Sequence, residues 1–330
     1  MCCCCRKAWR YDRTPAARRA IAKVDPADQA ERVSLPPLVL FYNRPFPPFR
    51  DPSSIDCGGA CVFTWDRRRL DEAAAVVFHI PTLAGIPLPA KARGQRWAAW
   101  SLESDVNYPV LADPAFMCRF EITMTYRRDA TVWWPYFGPE TIAALLTPPR
   151  PKTEASPMVY FRSSPVDRCG RTAYAAALMR RVKVDSYGSV LHNRDLPAPD
   201  TGWDTMIPVT ARYKFALVLE NSISEDYVSD KFFCALVSGS VPVYRGAPNV
   251  AAFAPAERCF INAADFSGPV ELAAYLNWLN EHEAAYQEHL AWKQRGPSPE
   301  FRALAPSVEG EPLCRLCAYL RRSPARKWLM

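Results

Sequence analysis

The chain has 330 residues, 49% of them hydrophobic and 12% aromatic, enough apolar material for two ordinary domain cores and too much for a disordered polypeptide. Its net charge of +7 is uneven: residues 1–32 carry eight Lys/Arg against four acids and residues 313–330 five against none, leaving the body at about −2. Basic ends on a near-neutral body argue against a nucleic-acid partner.

Residues 1–35 lack sustained apolar periodicity and read as a flexible basic leader. Within it, Cys2, Cys3, Cys4 and Cys5 precede Arg6 and Lys7. That pattern suits either S-acylation at a membrane surface or an unstructured terminus, and the second is preferred. There is no signal-peptide core, and the longest apolar stretch, 73–90, is interrupted by His79, Pro81, Pro87 and Pro89, so no membrane span is expected.

Apolar runs at 38–42, 61–65 and 74–80 predict three strands in an α/β layer structure. Residues 96–102, RWAAWSL, predict a fourth strand with Glu103 at its carboxyl end. An α/β enzyme places catalytic groups there, although from the residues alone a turn-capping role is the more ordinary one. In FEITMTYRRD (120–129) Ile122 and Met124 alternate with Thr123 and Thr125 before the basic pair Arg127 and Arg128, which would serve structure more than chemistry. The Pro-rich stretch 147–157 is the expected domain boundary.

Beyond it, a strand at 158–162 and a helix from Arg171 through Tyr174, Leu178 and Val182 are predicted, then a sharp turn at Gly188. Phe215–Leu219 is a buried-type strand, followed by a polar turn at Glu220, Asn221 and Ser222. A helix starting near Ser224 would bury Val228, Phe232, Ala235 and Leu236 and project Tyr227, Asp230 and Lys231 from its first turns. Gly239 ends it, and a strand at 241–244 completes a βαβ unit whose carboxyl edge suits an anionic ligand. The bland alternative pairs Lys231 with a neighbouring carboxylate and buries Tyr227 as a core cap. A helix from Pro269 to Leu290 stops at Gly296-Pro297, with His282 and His289 read as surface residues. Cys314 and Cys317 form a CxxC, alone a weak zinc or redox signal; disulfide pairings among the eight cysteines beyond the leader are not readable. No DxD-type pair, HxxxH, Ser-His-Asp spacing or GxGxxG is present, so no metal site is expected.

Four stretches resemble the α-1,3/1,4-fucosyltransferases of glycosyltransferase family 10, especially plant-like members. They are YKFALVLENSISEDYVSDKFFCALVSGSVPVYRG (213–246), RWAAWSLESDVNYP (96–109), FEITMTYRRD with Pro135-Tyr136, and FRSSPVDRCGRTAYAAAL continued by VDSYGSVLHN. The resemblance covers roughly residues 38–295. It implies a GT-B fold, two Rossmann-like α/β domains facing across a cleft. The divisions would be 36–150 on the acceptor side, 151–297 binding GDP-fucose, and a 298–330 tail carrying the CxxC in a structural disulfide.

The implied reaction moves L-fucose with inversion from GDP-β-L-fucose to a GlcNAc-containing glycan or glycoprotein. Glu103 would be the general base; Arg171, Asn221, Tyr227, Asp230 and Lys231 would bind the donor, with no cofactor required. Asp230 and Ser164 stand where the family usually has Glu and Asn. Eukaryotic members are typically Golgi proteins with an N-terminal membrane anchor, which implies a Golgi-lumenal, membrane-associated location; this sequence departs from the anchor pattern, as a truncated form or a protein tethered in another way would. The rival reading is a glycan- or nucleotide-sugar-binding relative that has lost turnover.

Overall fold

The computed structural model describes residues 35–47, 49–197, 199–304 and 310–322. The basic leader and its cysteine cluster lie outside them. Two all-parallel sheets organise the chain. The first holds β1 (Leu38–Phe41), β2 (Val62–Thr64), β3 (Ala75–His79), β4 (Arg96–Ser101), β5 (Ile122–Thr125) and β6 (Val132–Trp133), in the order β2-β1-β3-β4-β5-β6. The second holds β7 (Met158–Tyr160), β8 (Val184–Ser186), β9 (Phe215–Leu219), β10 (Val241–Arg245) and β11 (Ile261–Asn262), in the order β11-β10-β9-β7-β8. Strands buried on both faces need apolar side chains at consecutive positions. AVVFH in β3 and FALVL in β9 supply them, and every residue of both is buried.

Among the described residues the helices are α1 (Pro114–Met117), α2 (Pro139–Ala144), α3 (Arg171–Met179), α4 (Trp203–Thr210), α5 (Asp230–Val237), α6 (Pro269–Glu281), α7 (Glu283–Glu288), α8 (Trp292–Arg295), α9 (Pro299–Arg302) and α10 (Pro312–Arg322). On the second sheet, Phe215, Leu217 and Leu219 enter a core with Leu178 of α3 and Leu276 of α6. Ala216 and Val218 enter the opposite core with Phe232 and Leu236 of α5. Gly188 is required where its loop crosses β7's exit, since a Cβ there would fall 1.9 Å from the carbonyl oxygen of Arg162.

Several expectations are corrected. The helix expected from Ser224 begins at Asp230, because Asp226 adopts a left-handed φ of 62° and its N–H and carboxylate are taken by Asn249 and Arg128. Tyr227 therefore precedes the helix instead of projecting from it. The long helix from Pro269 is broken at His282, whose φ of −114° and ψ of 80° are not helical. His289 is buried, not superficial: its Nδ1 lies 2.6 Å from the Arg258 carbonyl oxygen. Helix α4, unread in the sequence, carries Pro208, which ordinarily signals a break.

The segment read as a tail returns to the first sheet. Cys314 and Cys317 do not pair with each other: disulfides join Cys57 to Cys314 and Cys61 to Cys317. Leu313, Leu316 and Leu320 of α10 pack into the core beside β1 and β4. The 147–157 stretch has no helix or strand. Near it, Lys293 donates to the carbonyls of Leu145 and Thr147, and Lys152 to those of Ala211 and Gly239. Burial pushes both ammonium pKa values down to about 8, with Lys293 adding to the effect on Lys152.

Candidate active site

The carboxyl ends of the two sheets meet at Glu103. β4 ends at Ser101, whose hydroxyl accepts from Glu103 N at 3.0 Å and donates to Glu103 O at 2.9 Å, closing a tight turn that presents the carboxylate. Three donors converge on Oε2: Asn107 Nδ2 at 3.0 Å, the Tyr227 hydroxyl at 3.2 Å and Asn221 Nδ2 at 3.4 Å. Asn107 Nδ2 also reaches Asn221 Oδ1 at 2.8 Å. Oε1 has no hydrogen-bond partner among the described residues.

Tyr227 is buried, its ring 5.0 Å from Tyr126 and 6.1 Å from Tyr136, both near edge-on. Burial, then the neighbouring Tyr136 and the charges of Glu103 and Glu220, hold its phenol pKa well above the ordinary value, so it remains a donor. Tyr136 is raised likewise, by burial and then by Glu103, and donates to the Leu102 carbonyl.

On the second lobe, Lys231 Nζ lies 3.1 Å from Ser229 Oγ and 3.5 Å from Asp230 Oδ1. Burial alone would lower its pKa, but Asp230 and Glu220 outweigh that and raise it, so Lys231 is a cation at neutral pH. Glu220, read from sequence only as part of a turn, is 1% exposed and accepts from Ser229 N at 2.7 Å, so a protein carboxylate sits at the start of α5. Burial raises its pKa against the pull of Lys231 and Ser229. Gly246 permits this, because a Cβ there would lie 2.4 Å from Glu220 Cγ.

Arg171 is only 3% exposed. Its Nη1 donates to Leu219 O at 2.9 Å and its Nη2 to Val166 O at 2.7 Å, while Nε has no partner among the described residues. The N-terminus of α3 is taken by Asp167, which accepts from Arg171 N and Thr172 N, each at 2.8 Å. Burial opposes ionisation of Asp167, but bonds from Thr172 and Arg171 prevail and hold its carboxyl well below the usual range.

Thus Glu103, Asn221 and Tyr227 form one hydrogen-bonded group and Asp230 and Lys231 a second. Arg171 is anchored to the carbonyls of Leu219, at the end of β9, and Val166, in a loop, near enough to Lys231 to act on its charge. Sequence reasoning missed Asn107, although its position four residues after Glu103 was a signal. It also missed Glu220, Asp226 and Asn249.

A polar seam joins the lobes around this group. Ser104 Oγ lies 2.6 Å from Ser222 Oγ, and Ser224 donates to Asp105 at 2.6 Å. Arg128 binds Asp226 through N at 3.0 Å and Nε at 2.8 Å, a structural role, while Arg127 pairs with Asp129. Beside Glu103 the first lobe has a cavity of about 370 Å³, lined by Asp105, Leu111, Met117, Thr123 and Tyr126 among others. Among the described residues no group of three or more His, Cys, Asp or Glu side chains is placed to hold a metal ion.

Two family models match the chain: "Fucosyltransferase, N-terminal" over residues 34–137, and "Glycosyltransferase family 10 (fucosyltransferase) C-term" over 151–329. The chain belongs to glycosyltransferase family 10. The GDP-fucose protein O-fucosyltransferase 3 of Bos taurus is 33% identical to this fucosyltransferase-family chain over 267 residues, 75% of this chain and 56% of that protein. A putative fucosyltransferase-like protein of Arabidopsis thaliana is 37% identical over 202 residues, 61% of this chain and 38% of its own length. The chain therefore spans about half or less of these curated relatives. A solved α1,3-fucosyltransferase structure with GDP-fucose aligns with a TM-score of 0.58 at 15% identity, covering 94% of this chain and 95% of that one. The same enzyme type with GDP aligns at 0.57 and 16%, covering 93% and 95%. That likeness, with the two parallel sheets, establishes the GT-B type fold.

Proposed function

We propose that the protein is an inverting fucosyltransferase that moves L-fucose from GDP-β-L-fucose to an acceptor hydroxyl, with Glu103 as general base. The observation that carries this reading is the convergence on one Glu103 oxygen of Asn221 and Tyr227 from the second lobe, which leaves Oε1 free to take a proton. In this reading the acceptor oxygen gives its proton to Oε1 as it bonds to the anomeric carbon, and the carbon–oxygen bond to GDP breaks with its electron pair on the diphosphate. Lys231 and Arg171 offset the departing charge, and Asn221, Tyr227 and Asp230 bind the donor's phosphate and hydroxyl groups. The first lobe takes the acceptor and the second the GDP-fucose. No metal ion is given a role.

For the acceptor, the names of the vertebrate relatives favour a side-chain hydroxyl of a protein. The GlcNAc-containing glycan implied by the sequence motifs is the second reading. The two disulfides suit an oxidising secretory compartment such as the Golgi lumen, and no helix among the described residues is long and apolar enough to cross a membrane.

The experiment is GDP release from GDP-fucose with two acceptor sets, followed by mass spectrometry of the products. The sets are folded secretory domains lacking N-glycans, and free GlcNAc-terminated glycans. Fucose on Ser or Thr is the expected product, and fucose on the glycan establishes the second reading. Tight GDP-fucose binding without release for either set supports the relative that has lost turnover.

A further inference from the structure

On the face of the second sheet covered by α3, polar groups remain that the scheme above does not use. β10 ends at Arg245, in register with Leu219. Its side chain follows Val241 and Val243 to the α3 side of the sheet, because alternate residues of a strand share a face. There the guanidinium lies over the ring of Tyr174, 5.1 Å from its centroid. Tyr174 is one helical turn beyond Arg171, and Arg171 bonds the carbonyl of Leu219, the residue paired with Arg245. Nη1 of Arg245, the hydroxyl of Tyr174 and Nε of Arg171 are all buried, and none has a hydrogen-bond partner among the described residues.

Buried polar groups are normally satisfied, and each orphan calls for an explanation. Here two of the three are guanidinium N–H groups, at the carboxyl edge where a parallel sheet receives its ligand. No carboxylate pairs with Arg245 among the described residues, so none of them compensates its charge. Arg171 is fixed by carbonyls. Among the described residues the side chain of Arg245 is held by its stacking on Tyr174, an interaction weaker than a two-pronged, charge-assisted bond to a phosphate. Moving from ring to phosphate therefore costs it little.

We propose that Arg245 is a further ligand of the diphosphate of the donor nucleotide, acting beside Arg171, and that the Tyr174 ring holds it when no nucleotide is bound. This rests on the reading of the second lobe as the GDP-fucose site. A third cation also suits that site, since the carboxylates of Glu220 and Asp230 act on Lys231 with the opposite charge.

The test is calorimetric binding of GDP to the full chain and to Arg245→Gln, with guanosine measured by its displacement of GDP. GDP affinity about tenfold weaker in the variant, with guanosine affinity within about twofold of wild type, is the expected result. Unchanged GDP affinity in R245Q overturns the proposal and leaves the donor-site reading intact. An equal loss for guanosine overturns it too, because Arg245 then serves the nucleoside or the fold. Wild type that binds no GDP overturns both. If R245Q does not fold, Arg245→Lys decides: it keeps the charge but not the planar fork, so GDP binding about threefold weaker is expected, and unchanged binding counts against the proposal.

Discussion

The two oxygens of Glu103 have different surroundings. Oε2 is held by three side-chain donors, two of them from the second lobe, while Oε1 has no hydrogen-bond partner among the described residues. Glu103→Gln keeps the shape and loses the base. Its turnover should fall about 100- to 10,000-fold while calorimetry shows unchanged GDP-fucose affinity. Equal turnover would remove Glu103 from the chemistry. Asn107 only positions it, so Asn107→Ala should lower kcat about tenfold and leave the KM for donor nearly unchanged. A rise in KM alone would contradict that role. Glu103 was legible because its strand and spacing announce a carboxylate at a strand end. Glu220 and Asn249 were not, because what makes them important is contact with residues 9 and 23 positions away across turns that no local pattern predicts.

At the scale of elements, α3 and α5 both begin at protein carboxylates, Asp167 and Glu220. Neither helix start is an empty anion site. The contribution of Asp167 has a definite pH sense. Its folded pKa is depressed, so its stabilisation is fully present above the ordinary carboxylate pKa of about 4 and is lost as pH falls toward the folded value. Asp167→Asn should therefore cost about 1–2 kcal/mol in urea unfolding at pH 7 and distinctly less at pH 3. A pH-independent cost would mean that the hydrogen-bond geometry matters and the charge does not. The strand Phe215–Leu219 and the burial of Phe232, Ala235 and Leu236 in α5 were readable because continuous apolar runs and 3.6-residue spacing are local properties, whereas Val228, also buried, lies before the helix. The start of α5 was not, because the left-handed turn at Asp226 exists only where Arg128 and Asn249 come to meet it.

In the whole molecule, the pairs Cys57–Cys314 and Cys61–Cys317 return α10 to the first sheet across separations of 257 and 256 residues. Once one bridge is closed, the other closes a loop of only a few residues. Replacing Cys61 and Cys317 by Ala should therefore cost much less than replacing all four cysteines. Loss of both bridges should cost about 2–5 kcal/mol in denaturant unfolding. A single-pair cost of about half the total would show that the bridges act independently.

By itself the sequence determined the family resemblance, the α/β class with its central strands, the carboxylate at the end of β4 and the polar residues around α5. All of these rest on local periodicity or on residue spacing within one segment. Only the tertiary structure decided which cysteines pair, that α10 belongs with the first sheet, and that Asn107, Asn221 and Tyr227 share one carboxylate oxygen. It alone left Nη1 of Arg245 without a hydrogen-bond partner among the described residues. The physical reason is common to these: each depends on segments brought together by packing, and the free energy that unites them is not written in either segment alone.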